Sequence, residues 1–208
     1  MMTVTARITV AGAGFAALTG LKELRKALPK AELTLVAPKA EFIYLPSLIW
    51  LPYGMRTEND IRYDIQPLLN RLNVKFIQAS VTGISDDGRV LKTDSGEVRN
   101  DALLIATGGR FIKKLPGIEN AITICEGIAA AEAMGEKIRI LSSGTIALGF
   151  SGNPKEPSAM RGGPMFELLF GLDTWLRKQG KREKIRLVFF SPAPQPGKRL
   201  GEKAVKGM

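Results

Sequence analysis

Near its amino terminus the chain reads Arg7-Ile8-Thr9-Val10-Ala11-Gly12-Ala13-Gly14-Phe15-Ala16-Ala17. A short apolar strand leads directly into two glycines separated by one residue, and a small residue follows three positions later. In a dinucleotide-binding turn the first glycine permits a tight bend, the second lets the backbone approach a pyrophosphate, and the small residue lets the helix lie close to the strand. The phosphates then meet the amino terminus of that helix, where unpaired N–H groups and the helix dipole favour negative charge.

The residues that follow this turn strengthen the prediction. Residues 18–25 have the apolar spacing of an amphipathic helix, and residues 33–36 form a second apolar strand. Residues 7–37 therefore predict a strand–helix–strand unit with a parallel sheet. Glycine pairs also open many ordinary strand–helix turns, so a plain turn is the alternative to nucleotide binding.

The composition excludes several kinds of catalytic site. The 208 residues include one cysteine and no histidine. One cysteine cannot form an intrachain disulfide or a cysteine-rich zinc site. Without histidine, neither a Ser–His–Asp triad nor a histidine-ligated metal can be built. We therefore predict no metal site and expect the chemistry to reside on a bound cofactor.

The net charge of +10 is concentrated toward the carboxyl terminus, because residues 151–208 carry 12 Lys and Arg against 5 Asp and Glu. Such an excess has two interpretations. The basic residues either lie in solvent at a helix end, or they bind an anionic membrane surface or an acidic partner. Aromatic residues do not alternate with these charges, so we expect no nucleic-acid partner. No stretch approaches the roughly 20 apolar residues that span a bilayer. Arg7 interrupts any amino-terminal signal-like run. A cytoplasmic or peripheral membrane location is expected.

The remainder of the first half predicts strands around a long apolar connection. Residues 42–53 are apolar but broken by Pro46 and Pro52, so they either pack as core or line a site for a flat ligand. The pattern predicts a short helix over 64–72, a strand over 74–77, hairpin-like strands around the turns 86–88 and 94–96, and a buried strand over 102–106.

After residue 115 a second α/β region begins. The pattern predicts a helix over 129–134 that ends at Gly135, a strand over 138–141, a loop over 151–163, a helix from Pro164 to about Lys178, and a strand over 185–190. Proline in the first turn of a helix is expected. The region lacks the strands that would complete a sheet, so we expect the chain to be part of a longer protein. The predicted domains are residues 1–115 and 116–208.

In this order the features resemble those of flavoproteins with two dinucleotide-binding domains. Within that superfamily the chain resembles sulfide:quinone oxidoreductases and the flavoprotein subunit of flavocytochrome c sulfide dehydrogenase. Besides the glycine turn, the resemblance is carried by residues 45–50, 101–108, 123–125, 163–167 and 173–178. It implies an α/β fold: a three-layer, Rossmann-like FAD-binding domain with a parallel sheet and a small antiparallel insertion, followed by part of a second Rossmann-like domain.

The resemblance also implies FAD as the cofactor. The FAD-binding residues that it implies are Gly12, Gly14, Phe15, Ala16, Ala17, Ala37, Lys39, Pro46, Ser47, Ala106, Thr107 and Gly108. An acid usually ends the second strand and binds the ribose hydroxyls, whereas Ala37-Pro38-Lys39 stands here. Sulfide:quinone-type enzymes often lack that acid. Lys39 either meets a phosphate or is a solvated lysine.

A second dinucleotide site would need a glycine fingerprint after the predicted strand over 138–141. The glycines there are Gly144, Gly149 and Gly152, so the pair separated by one residue is absent. This argues against an NADH-dependent flavoprotein of the type II NADH dehydrogenase kind, which stays an alternative.

Cys125 is the candidate catalytic residue. In sulfide:quinone-type enzymes a cysteine pair near the flavin carries sulfur, and Cys125 occupies a position where many of them have a cysteine. Packing as a small hydrophobe after a strand is its other interpretation. Where the essential cysteine is expected, Met160 or Arg161 stands. With one thiol, this chain cannot form the cysteine pair by itself.

The leading interpretation is an FAD-dependent oxidoreductase of the sulfide:quinone type. It would pass electrons from a reduced sulfur compound or another small donor to a quinone or a cytochrome. A non-catalytic FAD-binding fragment is a further alternative. We also expect peripheral membrane contact through a region beyond residue 208, and a homodimer.

Overall fold

The computed structural model describes residues 5–109, 116–152, 155, 162–192 and 201–207. The chain divides into two compact units, Met1–Tyr44 with Ile61–Ile112, and Leu45–Asp60 with Lys113–Met208. Residues 45–60, which the sequence boundary assigned to the first domain, are therefore counted with the second unit. Side-chain bonds to one helix of that unit explain the difference. Trp50 Nε1 donates to Glu167 Oε1 at 3.1 Å, and the Tyr53 hydroxyl donates to the Leu168 carbonyl.

The described residues form strands, α-helices and short 3₁₀ helices. The strands are β1 Arg7–Ala11, β2 Glu32–Ala37, β3 Glu41–Ile43, β4 Arg62–Asp64, β5 Val74–Gln78, β6 Val81–Ser85, β7 Val90–Thr93, β8 Gly96–Arg99, β9 Ala102–Ile105, β10 Gly144–Gly149 and β11 Ile185–Phe190. The α-helices are α1 Phe15–Ala27, α2 Glu58–Ile61, α3 Gln66–Arg71, α4 Ile128–Ile140, α5 Gly163–Lys178 and α6 Glu202–Gly207. The 3₁₀ helices are Leu45–Trp50, Ile118–Asn120, Ile124–Glu126 and Arg182–Lys184.

A four-stranded parallel sheet in the order β5-β2-β1-β9 forms the centre of the first unit. Val10 on β1 lies between Leu35 on β2 and Leu104 on β9. Helix α1 packs Ala17 and Leu21 into the same apolar cluster, and both are 0% exposed. The predicted strand–helix–strand unit and the α/β fold are confirmed.

Strand β9 differs from its prediction as a buried strand. It pairs with β1 on one side, and the described residues place no strand along its other side. Ile105 is consequently 60% exposed. An apolar run alone does not distinguish a central strand from an edge strand.

Two antiparallel elements accompany this sheet. Strands β6, β7 and β8 form the predicted hairpins, and positive φ angles at Asp86, Asp87 and Gly88 make the first turn tight. Hairpins favour such left-handed turns because their twist matches that of the strands. A short ribbon of β3 and β4 was not predicted.

In the second unit, β10 and β11 form a parallel pair, and α5 lies between them in the chain. Helix α5 buries Leu168, Leu172 and Leu176, which recur every four residues and so share one face. Its proline in the first turn and its end at Lys178 agree with the sequence prediction. This parallel pair with its connecting helix is the usual βαβ arrangement.

The predicted strand over 138–141 is wrong, and so is the helix end at Gly135. Helix α4 runs unbroken from Ile128 to Ile140. Ala131, Gly135 and Ile138 lie on its buried stripe, and a Cβ at Gly135 would come within 3.0 Å of Pro52 Cα. Gly135 therefore permits close packing instead of ending the helix.

Several basic residues are used at helix ends in the second unit. Lys181 Nζ donates to the carbonyls of Arg139 at 2.7 Å and Leu141 at 3.2 Å, where α4 ends. Arg177 and Arg182 both bind the Asp173 carboxylate. These contacts support the helix-end interpretation for these residues. None of the described helices has the length and apolarity to cross a membrane.

Asp101, just before β9, makes the first unit sensitive to acid. Its carboxylate accepts from Arg7 Nη2 at 2.9 Å and from the Arg7 backbone N–H at 2.8 Å, and these bonds lower its pKa to about 2. A carboxyl group whose pKa is depressed by folding stabilises the fold above its unfolded pKa, about 3.9, and loses this effect as the pH falls through its folded pKa.

We expect Asp101→Asn to lower the urea unfolding midpoint at pH 7, and the difference from wild type to shrink between pH about 4 and about 2. Glu97→Gln, at an exposed acid on β8, is the matched control and should leave the midpoint nearly unchanged. A difference that stays constant from pH 7 to pH 2 would contradict the assignment.

Candidate dinucleotide-binding site

The loop between β1 and α1 requires glycine at position 12. Gly12 has φ +110°, and its N–H donates to the Val36 carbonyl at 2.8 Å. A Cβ on this residue would lie 2.3 Å from the Ala106 carbonyl oxygen. Both the backbone angle and the close approach therefore exclude a side chain.

Gly14 caps α1 and leaves space in front of the helix. A Cβ on Gly14 would meet no atom within 4 Å. The helical hydrogen bonds begin with Leu18 N–H donating to the Gly14 carbonyl at 3.1 Å, so the amides of residues 15–17 precede the first helical hydrogen bond. The first turn contains no acidic residue. This arrangement suits an anion such as a pyrophosphate.

Close contact between α1 and the sheet depends on two small residues. Ala17 is fully buried, as predicted, and a Cβ on Gly20 would lie 2.6 Å from Leu104 Cδ2. Gly20 was not among the predicted site residues. Its signal was its position three residues after Ala17, which places both on one side of the helix.

A cavity of about 490 Å³ adjoins the loop at the carboxyl ends of β1 and β2. Its lining includes the predicted residues Gly12, Ala37, Lys39 and Thr107. It also includes residues that sequence reasoning missed, namely Glu41, Ile43, Ala79, Ser80 and Val81. These come from β3 and from the β5–β6 connection, which only the tertiary structure brings to the end of β2. In open α/β sheets, ligands bind outside the carboxyl ends of the strands.

The segment after β9 closes one side of this cavity. Ala106 N–H donates to the Ala11 carbonyl at 2.8 Å, which continues the β1–β9 ladder. Thr107 follows in the cavity wall, and Gly108 turns the chain with φ +76°. These positions agree with a contact to a dinucleotide.

A larger hollow of about 780 Å³ lies at the amino ends of β2 and β5, away from this loop. Arg25 lines it and donates to the carbonyls of Pro29, Ala31, Leu72 and Asn73. Since its guanidinium is engaged by backbone, we assign Arg25 a structural role and no ligand to this hollow.

Three predicted site residues lie in the second unit. Pro46 and Ser47 belong to the 3₁₀ helix Leu45–Trp50, which buries Ser47, Leu48 and Ile49 and so packs partly as core. Cys125 lies in the 3₁₀ helix Ile124–Glu126 and is exposed. Partial burial of its thiol raises its pKa, which favours the thiol over the nucleophilic thiolate.

The carboxyl end of β10 is the position where a second dinucleotide would bind. Because β10 ends at Gly149, the fingerprint belongs at Gly149-Phe150-Ser151-Gly152, where the pair separated by one residue is again absent. The Phe150 ring lies against Gly162, and the rings of Phe166 and Phe189 stack with centroids 4.8 Å apart. Residues 150–162 separate β10 from α5, whereas a pyrophosphate turn joins strand and helix directly.

Among the described residues, no group of His, Cys, Asp and Glu is placed to hold a metal ion. Met160 and Arg161, where a redox cysteine is expected, lie outside the described residues.

A parallel sheet with a glycine turn at a helix amino terminus, followed by a second α/β unit, defines a class of dinucleotide-binding protein. Residues 6–153 match the pyridine nucleotide-disulphide oxidoreductase family, and the chain belongs to it. Members of this family are FAD-binding flavoproteins. The loop between β1 and α1 fits FAD, because Gly14 leaves open space for a pyrophosphate in front of the helix amino terminus.

One group of similar proteins consists of sulfide–quinone enzymes. The sulfide-quinone reductase of Aquifex aeolicus is 29% identical over 194 residues, which cover 91% of this chain and 44% of that protein. The crystal structure of the sulfide:quinone oxidoreductase from Aquifex aeolicus matches with a TM-score of 0.85 and 27% identity over 98% of this chain and 49% of that one. The chain thus spans less than half the length of this curated relative.

A second group of relatives covers less of the chain. The type II NADH:quinone oxidoreductase of Staphylococcus aureus is 34% identical over 118 residues, which cover 54% of this chain and 28% of that protein. The structure of NDH2 from Plasmodium falciparum in complex with NADH has a TM-score of 0.63 at 17% identity over 89% of this chain and 41% of that one, which shows the shared fold.

Proposed function

We propose that this chain is the FAD-binding part of an oxidoreductase of the sulfide:quinone type. Electrons pass from a reduced sulfur compound or another small donor to a quinone or a cytochrome. The observation that carries the proposal is the likeness to the Aquifex aeolicus enzyme over 98% of the chain with a TM-score of 0.85. The curated relatives of the NADH type match over 54% of the chain.

The chain's own residues would hold FAD along one edge of the first unit. The amides at the start of α1 would bind the pyrophosphate beside Gly12 and Gly14, and Thr107 and Gly108 would close over the dinucleotide. Ala37 and Lys39 would lie toward the adenosine end. When bound, FAD supplies the two-electron chemistry that this set of side chains lacks.

Pro46, Ser47, Ala106 and Cys125 stay predicted site residues on the basis of the family resemblance. Cys125 is the candidate contact for a sulfur donor, and it is the only thiol among the 208 residues. Sulfur transfer through a cysteine pair therefore needs a second thiol from outside these residues. For this reason the donor is assigned only as a reduced sulfur compound or another small donor.

The acceptor is proposed as a quinone because both groups of relatives, the sulfide-quinone reductase and the type II NADH:quinone oxidoreductases, are named as quinone enzymes. A cytochrome is the alternative acceptor. Peripheral membrane contact and a homodimer stay predictions.

An NADH-dependent flavoprotein is the second candidate, favoured by the 34% identity to type II NADH:quinone oxidoreductases. The loop after β10 opposes it, since Phe150 and Gly162 lie together at the strand end where a dinucleotide loop is needed. A non-catalytic FAD-binding fragment is the third candidate, because the 208 residues include one thiol and no histidine.

Reconstitution separates these candidates. We expect the refolded chain to take up FAD with about one flavin per chain, since the loop between β1 and α1 offers one site, and to show a protein-bound flavin spectrum. Anaerobic NADH should bleach this flavin no faster than it bleaches free FAD. Rapid bleaching by NADH would favour the second candidate.

Sulfide added in the same way should bleach the flavin only if the isolated chain is catalytically competent. Bound FAD that neither reductant bleaches would favour the third candidate. A preparation that stays colourless after incubation with FAD would overturn the proposal.

A further inference from the structure

The adenosine end of the cavity lacks the acid that dinucleotide-binding folds usually place there. Ala37 ends β2, and Pro38 and Lys39 follow it in the cavity wall. An aspartate or glutamate at this strand end normally accepts hydrogen bonds from the ribose hydroxyls. Without a replacement for this acid, ribose hydroxyls that enter the cavity would lose hydrogen bonds to water and gain weaker ones to the protein.

A carboxylate reaches the same cavity from the next strand. Glu41 and Ile43 on β3 both line it together with Ala37 and Lys39. Side chains alternate along a strand, so positions 41 and 43 share a face and Phe42 points to the other. Phe42 indeed packs against the apolar core, with its ring centroid 4.8 Å from that of Phe15. Strand β3 thus presents Glu41 to the cavity by its register.

The ribbon of β3 and β4 also fixes the direction of this carboxylate. Arg62 on β4 pairs with Ile43, and its Nη1 donates to Glu41 Oε2 at 2.6 Å. The two side chains are 30% and 32% exposed, so the pair lies at the cavity edge and not in open solvent. A carboxylate accepts on both oxygens. The contact with Arg62 therefore leaves Oε1 for a ligand.

We propose that Glu41 replaces the missing acid at the end of β2 and binds the 2′- and 3′-hydroxyls of the adenosine ribose of FAD. Arg62 is its positioning residue. This inference rests on the proposed dinucleotide site.

The test compares two probes that differ only in the ribose hydroxyls, ADP and 2′,3′-dideoxy-ADP. Their dissociation constants are measured by calorimetry on the full 208-residue chain, as wild type and as Glu41→Gln. Wild type should bind ADP about tenfold more tightly than the dideoxy probe, the effect of hydrogen bonds to a charged acceptor. Glu41→Gln should raise the dissociation constant of ADP by about tenfold and change that of the dideoxy probe by less than about twofold.

Two further variants make the comparison specific. Lys39→Met tests the neighbouring charge. We expect it to change the affinity for both probes equally, because Lys39 is not proposed to bind the hydroxyls. If Glu41→Gln fails to fold, Glu41→Asp keeps the charge but shortens its reach, and it should lower the ADP preference over dideoxy-ADP by at least about threefold. Circular dichroism of each variant without ligand verifies the fold.

The outcomes separate this inference from the proposed function. An equal loss of affinity for both probes in Glu41→Gln would mean that Glu41 only stabilises the β3–β4 ribbon. This result would overturn the inference and leave the proposed dinucleotide site in place. The same holds if wild type binds both probes with equal affinity. If the folded wild-type chain binds neither ADP nor FAD, the proposed function and this inference both fail.

Discussion

Gly14→Glu is expected to abolish FAD binding without unfolding the protein. Gly14 has φ −85°, which any residue adopts, and its added Cβ meets no atom within 4 Å. The new carboxylate would stand in front of the amides of residues 15–17, in the space proposed for the pyrophosphate. Two unit charges about 4 Å apart interact by about 4 kcal/mol at an effective dielectric constant of about 20, which corresponds to a roughly 1000-fold loss of affinity.

Fluorescence titration with FAD measures this loss, and circular dichroism verifies the fold. Thr19→Glu is the matched control, because it adds the same charge to the same helix one turn later, at an exposed position. It should change the dissociation constant by less than about threefold, since the effect of the helix dipole is confined to the first turn. Similar losses in the two variants would mean that the phosphates do not bind at this helix end.

Gly12→Ala is expected to destabilise the first unit itself. The residue has φ +110°, and the added methyl group would lie 2.3 Å from the Ala106 carbonyl oxygen. A strained backbone angle costs about 1–3 kcal/mol, and overpacking costs a similar amount. Since part of the strain relaxes, we expect the free energy of unfolding to fall by about 2–4 kcal/mol.

Urea denaturation followed by circular dichroism measures this change. Gly14→Ala, two residues away in the same loop, is the control, because its methyl group enters open space. It should change the free energy of unfolding by less than about 1 kcal/mol. If Gly12→Ala were as stable as Gly14→Ala, the loop would not need the close contact between residues 12 and 106.

The parts of the fold that depend on local pattern were predicted well. The strand–helix–strand unit at residues 7–37 joins an apolar strand, a glycine turn and a helical period within a short stretch, and all three signals agree. The helix from Pro164 and the strand over 185–190 also formed as expected, with α5 ending at Lys178.

The errors arose where a residue's role is decided by a distant neighbour. Gly135 reads as a helix stop in sequence, but its contact with Pro52 makes it a packing position, so α4 continues through 138–140. Strand β9 reads as buried, but it lies at the sheet edge of the described chain and exposes Ile105. Neither the contact of Gly135 with Pro52 nor the edge position of β9 could be known from residues nearby in the chain.

The sequence by itself determined the phosphate end of the proposed site. Gly12-Ala13-Gly14 and the helix after it are contiguous, so a turn, an open helix end and a close approach are all encoded locally. Only the tertiary structure decided the proposed adenosine end, because Glu41 faces the cavity through pairing of β3 with β4, and Ser80 and Val81 come from another strand connection. Pairing between strands is set by packing over long sequence separations, and a linear pattern carries no record of which side chains then share a cavity.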